Sequence, residues 1–226
     1  MRRDSKDSEE LRALRERAKR QIRTRMRALR GALPKAALAA RSRALCARVA
    51  SLPLFEGAGS LALFWQISER GEVDLHELDT VAREMKKRIY YPFMQPSGDV
   101  IRTGFRLVSD VAQLVERGRG FCEPALDAPE AQPGALELVL VPALALASDG
   151  HRVGYGAGFY DATLPEHCPP ARSIVVGFDF QLLAELPVDE GDVACDVVVT
   201  DQRIIDATGV LSPASEPAPR DPSASG

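Results

Sequence analysis

Residues 136–161 of this 226-residue chain read LELVLVPALALASDGHRVGYGAGFYD, and this stretch decides the fold. Its first part, Leu136–Pro142, is an apolar run that stops at a proline. Such a run is typical of a strand that is buried on both faces of a sheet. Its second part, Asp149–Asp161, opens with an Asp-Gly turn and places three glycines at alternate positions. The pattern predicts a central strand followed, after a short link, by a glycine-rich loop.

Strand-like and helical stretches alternate on both sides of this central strand. The other predicted strands are Ser60–Trp65, Arg88–Pro92, a weaker one at Thr103–Val108, Ser173–Phe178 and Asp196–Thr200. The predicted helices after the N-terminal one are Pro34–Ser51, Val73–Lys87 and a short one at Asp110–Glu116, and the proline-rich Phe121–Gly134 is predicted to be a loop. This alternation indicates βαβ units. It predicts an α/β fold with three α/β/α layers around a mostly parallel central sheet.

The first thirty residues form a basic, amphipathic segment. They carry a net charge of +7, which leaves −10 for the rest of a chain whose total is −3. Apolar residues recur every three or four positions and predict a helix that ends at Pro34. Along one flank of that stripe lie, at i, i+4 spacing, Arg15, Lys19, Arg23 and Arg27. Such a flank fits a solvated helix face, nucleic acid, a membrane surface or an anionic small ligand, and the charge alone does not decide among them.

Composition sets the remaining expectations. We predict a basic helical extension at 1–17, a single α/β domain at 18–206 and a disordered Pro/Ser/Ala tail at 207–226. The four cysteines are scattered without a CxxC pair, which argues against a zinc knuckle and a disulfide framework. No apolar run is long enough to span a bilayer, and the N-terminus is not signal-like. We therefore expect a cytoplasmic protein that does not bind membranes.

The glycine-rich loop has the chemistry of an anion site. Alternating Gly154, Gly156 and Gly158 allow the backbone to approach a ligand closely, and consecutive amides in such a loop converge on an anion. Arg152 adds a positive charge, and Asp161 could hold a Mg²⁺ that bridges phosphate oxygens. The P-loop, dinucleotide-binding and GxSxG motifs are all absent from the sequence. The loop indicates phosphate binding of an uncommon type, and the alternative interpretation is a glycine-rich surface turn.

Several motifs occur together in an order that points to one family. The segment VPALALASDGHRVGYGAGFYD resembles a signature in which a valine-proline strand end precedes a G-R-L-G-x-G-x-G-Y-Y-D loop. Other motifs in the same order are AKRQIRTRM, GEVDL, GFCEP and LPVDEGDVACDVVVTD. On these residues, from about Ala18 to Ile205, the chain resembles the 5-formyltetrahydrofolate cyclo-ligases, also called methenyltetrahydrofolate synthetases.

The resemblance implies an ATP-dependent ligase that forms a C–N bond. In this family, ATP phosphorylates the formyl oxygen of 5-formyltetrahydrofolate, and a neighbouring folate nitrogen closes the ring. Phosphate then leaves to give 5,10-methenyltetrahydrofolate, with ADP as the other product. Such chemistry needs positioning and charge stabilisation more than covalent catalysis. The implied cofactor is Mg²⁺ and the implied partners are ATP and a reduced folate. We expect no nucleic-acid binding, and a monomer or weak dimer.

The resemblance also implies roles for particular residues. Arg152 and Tyr160 would be catalytic, the folate would contact Trp65, Glu72 and Tyr160, and the metal would contact Asp161 and Asp192. The implied ATP-binding residues are Lys19, Arg20, Arg23, Arg152, Gly154, Tyr155, Gly156, Ala157, Gly158, Phe159 and Tyr160. The chain departs from the family pattern at Leu75 for threonine, Ala157 for a frequent glycine, Phe159 for tyrosine and Gly191 for histidine.

Three other functions remain open at this stage. The first is another ATP-dependent ligase or kinase that acts on a different acid substrate. Glu72 argues against this function, because the resemblance implies that its carboxylate contacts a pterin ring. The second is a non-catalytic folate- or nucleotide-binding protein, which needs no joint phosphate and metal chemistry of the kind that Lys19, Arg152 and Asp161 imply. The third is a nucleic-acid binder, although the sequence lacks basic strands interleaved with aromatic residues.

Overall fold

The computed structural model describes residues 2–98, 100–117 and 120–211, and its described strands form one large sheet and two small ones. The strands in chain order are β1 (Ser60–Ala62), β2 (Arg88–Ser97), β3 (Val100–Leu107), β4 (Val115–Glu116), β5 (Cys122–Glu123), β6 (Leu138–Pro142), β7 (Ala145–Ala147), β8 (Arg152–Val153), β9 (Arg172–Val176), β10 (Leu182–Leu183), β11 (Val197–Val199) and β12 (Ile204–Asp206). The large sheet has the order β12-β11-β9-β6-β1-β2-β3, with β12 and β3 antiparallel to their neighbours and the strands between them parallel.

Helices cover both faces of this sheet, as the three-layer prediction requires. They are α1 (Arg2–Gly31), α2 (Lys35–Ala50), α3 (Pro53–Gly57), α4 (His76–Glu84) and α5 (Phe159–His167). The core on one face joins the sheet to α2, α3 and α4, and the core on the other face joins it to α5. Helix α1 packs instead on the small sheet β10-β7-β8, through Met26, Leu144, Ala145 and Val153. None of these helices, as far as the described residues go, is long and apolar enough to cross a membrane.

Strand β6 shows why its sequence is apolar almost throughout. Leu138 and Leu140 belong to the core on the α2 face, whereas Val139 and Val141 belong to the core on the α5 face. All four side chains are fully buried. Successive residues of a strand point to opposite faces, so a strand that is covered on both faces needs apolar residues at every position.

The chain connections create a crevice beside β6. After β1 the chain runs to β2 and β3 on one side, and it then returns to β6 on the other side of β1. In open α/β sheets, ligands bind beyond the carboxyl ends of the strands at the point where the strand order reverses. The segments that follow β1 and β6 therefore meet at the expected place for a binding site.

Several predicted boundaries differ from the observed ones. The predicted helix at Asp110–Glu116 is wrong, because Asp110 and Gln113 close a single 3-10 turn and Val115–Glu116 then pairs with β5. The hairpin β2–β3 extends both predicted strands, and the predicted strand Ser60–Trp65 stops at Ala62. The antiparallel edge strand β12 was not predicted. It lies after the predicted strand Asp196–Thr200, in a segment that mixes polar and apolar residues.

Two features of the structure bear on the predicted domain limits. Helix α1 runs unbroken through the predicted division between residues 17 and 18. The predicted tail begins at residue 207, but Val210 and Leu211 donate backbone hydrogen bonds to the Asp206 carboxylate, so the segment 207–211 is an ordered turn. The remainder of the predicted disordered tail, residues 212–226, lies outside the described residues.

Gly150 joins the glycine-rich segment to the strand β11 region. Its backbone φ is +86°, and its carbonyl accepts a hydrogen bond from the Cys195 amide at 3.0 Å. A Cβ atom at this position would lie 2.1 Å from the Cys195 carbonyl oxygen. Any residue other than glycine must therefore move the backbone as well as adopt a strained φ.

We expect Gly150→Ala to lower the free energy of unfolding by about 2 kcal/mol or more, because both strain and the backbone clash act against it. Urea denaturation of the full chain measures the loss. The matched control is Gly57→Ala, since Gly57 has open space around its Cβ position and no positive φ. A Gly150→Ala protein as stable as the Gly57→Ala protein would contradict this interpretation.

Candidate active site

The crevice beyond the ends of β1 and β6 is a cavity of about 500 Å³. Its size is typical of small-molecule sites. Helix α1, the segments after β1 and β6, strand β2, the glycine-rich loop and the first turn of α5 all contribute to its wall. The lining residues that the sequence predicted are Lys19, Arg23, Trp65, Glu72, Arg152, Gly154, Tyr155, Gly156, Ala157, Gly158, Phe159, Tyr160, Asp161 and Asp192.

Lys19 links α1 to the loop before β11. Its ammonium lies 2.8 Å from Asp189 Oδ2 and 2.6 Å from Asp192 Oδ2, and the residue is only 5% exposed. One turn later, the Arg23 Nε donates a hydrogen bond to the Gly154 carbonyl at 2.9 Å. The basic flank of α1 therefore faces the glycine-rich loop and the acidic loop together.

These contacts set the charge states of the pair. Burial alone would lower the pKa of Lys19, but hydrogen bonds from its ammonium to Asp189 and Asp192 outweigh burial and raise it. Burial likewise opposes the shift at Asp192, but the bonds from Lys19 and from the Asp189 amide lower its pKa below the ordinary value. Both groups are consequently ionised at neutral pH, and a lysine with two carboxylates lies at the edge of the cavity.

The glycine-rich loop passes close to α1. Gly156 has a φ of +103°, and a Cβ atom there would lie 3.5 Å from the Arg23 guanidinium carbon. Gly158 takes the left-handed conformation at the N-cap of α5, which starts at Phe159. The first amides of a helix have no acceptor within the helix, so the first turn of α5 presents free N–H groups beside the loop.

Arg152 and Asp161 form a second charged pair. Arg152 Nη2 lies 2.9 Å from Asp161 Oδ1, and the Val193 amide donates to the same oxygen at 3.2 Å. The Arg152 side chain is only 4% exposed, and its Nη1 donates to the Val193 carbonyl. Because Asp161 bonds to the residue that follows Asp192, both predicted metal-binding acids lie at the same end of the cavity.

The two acids fit a Mg²⁺ that is carried by phosphate groups. Asp161 Oδ2 and Asp192 Oδ1 have no hydrogen-bond partner within the described part of the chain. That same part of the chain contains no group of three or more His, Cys, Asp and Glu residues arranged to hold a metal ion. Mg²⁺ usually takes one or two carboxylates and completes its shell with water and substrate phosphates, which this donor set matches.

Trp65 and Glu72 line the same cavity from the segment that follows β1. The Glu72 Oε2 accepts a hydrogen bond from the Ile67 amide at 2.8 Å, and this bond fixes the carboxylate. The residue is only 6% exposed. Trp65 makes edge-on contacts with His76 and Tyr91. A half-buried aromatic ring beside a fixed carboxylate suits a flat heterocycle with N–H donors.

Tyr160 presents a hydroxyl that has no partner. The oxygen is buried, and the described residues give it no hydrogen bond. Burial raises the pKa of Tyr160, so the phenol stays protonated at neutral pH. Since buried polar groups are nearly always paired, this hydroxyl fits an acceptor that the described residues do not supply, such as a ligand oxygen or a water.

Comparison with known proteins agrees with this geometry. The model of the 5-formyltetrahydrofolate cyclo-ligase family matches residues 15–201. The 5-formyltetrahydrofolate cyclo-ligase of Escherichia coli strain K12 is 31% identical over 162 residues, which cover 70% of this chain and 86% of the relative. The chain belongs to the 5-formyltetrahydrofolate cyclo-ligase family. An NMR structure of the Aquifex aeolicus 5,10-methenyltetrahydrofolate synthetase superposes with a TM-score of 0.73 at 26% identity, and covers 88% of this chain and 97% of that chain.

All the predicted site residues except one line the cavity. Arg20 does not line the cavity: it is exposed and lies beside Arg17, Gln21, Thr24 and Arg25. The reason is helical geometry, because consecutive residues point about 100° apart and Lys19 takes the direction of the cavity. Arg20 therefore does not meet the other predicted ATP-binding residues in this cavity, and its role in ATP binding stays a prediction.

The sequence did not single out every residue at the site. Asp189 lies beside the cavity, where it shares Lys19 with Asp192, and its place in the LPVDEGD motif was the only signal. Arg70 lines the cavity, follows the first strand by a short 3-10 turn and precedes GEVDL. Three lining residues lie in the quoted motifs but were given no role: Phe121, Pro142 and Val153. The remaining ones carry no local signal, because strand pairing and loop packing bring them in: Glu16, Phe64, Ile67, Pro92 and Met94.

Removing the unpartnered hydroxyl should not harm the ligand-free protein. We expect Tyr160→Phe to leave the free energy of unfolding unchanged or to raise it by up to about 1 kcal/mol, because an unsatisfied buried hydroxyl is lost. The control on the same helix is Thr163→Val. The Thr163 hydroxyl donates to the Phe159 carbonyl at 2.7 Å and contacts Thr103 Oγ1 at 2.9 Å.

Thr163→Val should lower the free energy of unfolding by about 1–2 kcal/mol, because it removes satisfied hydrogen bonds. Urea denaturation without ligand compares the two variants. An equal loss in both would show that the Tyr160 hydroxyl has a partner in the protein.

Proposed function

We propose that this chain catalyses the ATP-dependent conversion of 5-formyltetrahydrofolate to 5,10-methenyltetrahydrofolate, with release of ADP and phosphate. The observation that carries the proposal is the meeting of two kinds of wall in one cavity. Lys19, Arg23 and the glycine-rich loop form a wall for phosphate groups, and Trp65 with Glu72 forms a wall for a pterin. A cavity with only one of these walls would suit a nucleotide or a folate, but not a reaction between them.

The phosphate wall suits a triphosphate. Gly156, Gly158 and the first turn of α5 offer backbone amides, while Lys19 and Arg23 add positive charge from α1. Charge-assisted hydrogen bonds to such groups are worth about 1.5–3 kcal/mol each. In the ligand-free protein, Asp189 and Asp192 hold the Lys19 ammonium next to this loop, so it is already positioned when a nucleotide binds.

The reaction proceeds through two bond changes in the folate. The formyl oxygen attacks the γ-phosphorus of ATP and ADP leaves, which turns that oxygen into a leaving group. The neighbouring folate nitrogen, which lies outside the pterin ring, then attacks the formyl carbon and gives up its proton, and phosphate departs as the new ring closes. The protein contributes by aligning the two substrates and by offsetting charge on the transferred group.

Arg152 and Tyr160 are the groups that we assign to that task. Arg152 is held by Asp161 and the Val193 carbonyl, so its guanidinium is fixed before the substrate arrives. The protonated Tyr160 hydroxyl can donate to the formyl oxygen or to the phosphoryl group. Fixed donors lose little entropy when they stabilise developing charge. When bound through Asp161 and Asp192, Mg²⁺ would neutralise charge on the phosphate oxygens.

The direct test uses the purified full chain with 5-formyltetrahydrofolate, ATP and Mg²⁺. We expect the near-ultraviolet absorbance of the methenyl product to appear only when all three are present. Omission of ATP, or chelation of the metal, should abolish the signal. Folded protein that binds both substrates but gives no methenyl product would contradict the proposal.

A charge deletion on α1 tests which wall Lys19 belongs to. We expect Lys19→Met to raise the KM for ATP by about tenfold or more, because one charge-assisted contact to phosphate is lost. The KM for 5-formyltetrahydrofolate should change much less. The matched control is Arg25→Met, which removes an exposed charge from the same helix outside the cavity. Equal increases in both KM values for Lys19→Met would show that this assignment of α1 is wrong.

A further inference from the structure

Three guanidinium groups surround the ring of Tyr155 at one end of the cavity. The guanidinium carbons of Arg27, Arg30 and Arg70 lie 5.7, 5.7 and 5.3 Å from the ring centroid. The Tyr155 hydroxyl also accepts a hydrogen bond from Arg30 Nη2 at 2.6 Å. Guanidinium groups stack favourably on aromatic faces, so Tyr155 holds together cations that would otherwise repel one another.

This end of the cavity has an excess of positive charge. Lys19 and Arg152 are each paired with aspartates, but Arg27, Arg30 and Arg70 form no ion pair with any described residue. Glu72 is the acid that acts on Tyr155, where it adds to the effect of burial in raising the pKa of the phenol. A cluster of unpaired cations around one ring is chemically suited to an oxyanion.

Arg70 is the member of this cluster that a ligand can reach. It is exposed and lines the cavity, whereas Arg30 is only 2% exposed and lies under the ring. Arg70 ends the 3-10 turn Ser68–Arg70, between Trp65 and Glu72 in the sequence. It therefore lies where the two walls adjoin, because Tyr155 belongs to the glycine-rich loop and Arg70 to the segment that carries Trp65 and Glu72.

We propose that Arg70, seated on Tyr155, binds the glutamate carboxylate of the reduced folate at the mouth of the cavity. This inference rests on the proposed function. The pterin ring is uncharged, and the tail of the folate ends in carboxylates. A pterin held between Trp65 and Glu72 leaves that tail as the part of the substrate that extends to the exposed side, where Arg70 lies. The phosphates already have Lys19, Arg23 and the loop amides.

In this assignment, Arg70 contacts the glutamate tail of the folate and not its pterin ring. Arginine suits this role because its planar donors match a carboxylate in a fork. Because Arg70 is exposed, water and salt screen the contact, and the gain in affinity is smaller than at a buried pair. An increase in salt concentration should therefore reduce the contribution of Arg70.

Binding can be measured through Trp65, which is the single tryptophan of the chain and lies in the cavity. The probes are 5-formyltetrahydrofolate and 5-formyltetrahydropteroate, which lacks the glutamate. We expect Arg70→Gln to weaken binding of the glutamate-bearing probe by about three- to tenfold, the range for an exposed charged contact. The pteroate probe and ATP should bind Arg70→Gln as they bind the wild type.

Two further variants sharpen the test. Arg70→Lys keeps the charge but loses the planar fork, so its affinity for the glutamate-bearing probe should lie between those of wild type and Arg70→Gln. Arg25→Gln removes an exposed charge outside the cavity and should bind both probes as wild type does.

Each outcome separates the inference from the function on which it rests. Equal affinity of wild type and Arg70→Gln for the glutamate-bearing probe would overturn the inference, while normal conversion by the wild type would leave the proposed function intact. Weaker ATP binding by Arg70→Gln, with folate binding unchanged, would assign the arginine to the nucleotide and also overturn it. If the wild type neither bound nor converted 5-formyltetrahydrofolate, both would fall.

Discussion

The pairing of Lys19 with Asp189 and Asp192 is the contact on which the candidate site depends. It attaches a helix from the start of the chain to a loop near its end, next to the glycine-rich segment that Arg23 also bonds. The ammonium is nearly buried, so either an acidic partner or an incoming anion must balance its charge. The same contact thus stabilises the ligand-free fold and positions a cation beside the anion-binding loop.

Charge is distributed unequally around the cavity. At the end lined by α5 and the loop before β11, two cations are paired with acids whose second oxygens remain free, an arrangement that suits a metal-bound phosphate. At the end formed by Tyr155, the cations are unpaired within the described residues, an arrangement that suits a carboxylate. Trp65 and Glu72 belong to the segment that follows β1, and they line the same cavity. The cavity therefore presents two anion-binding ends and one flat, partly apolar wall.

The sequence predicted those parts of this arrangement that depend on local pattern. The apolar run of β6 and the alternating glycines after it have a physical cause within a few residues, and the structure confirms both elements. The direction of the Arg20 side chain depends on which side of α1 packs against β7 and β8. In the sequence, only Lys19 and Arg23 of the basic flank indicated that side. Met94 and Phe121 enter the cavity through the β2–β3 hairpin and a loop, and no local periodicity encodes such long-range pairing.

The decisive measurement is a crystal structure with Mg²⁺ and a non-hydrolysable ATP analogue. We expect the terminal phosphates to lie within hydrogen-bond distance of the Lys19 ammonium and of backbone amides in Gly156–Gly158, in the cavity that Trp65 also lines. A triphosphate bound elsewhere, with Lys19 contacting only Asp189 and Asp192, would contradict it.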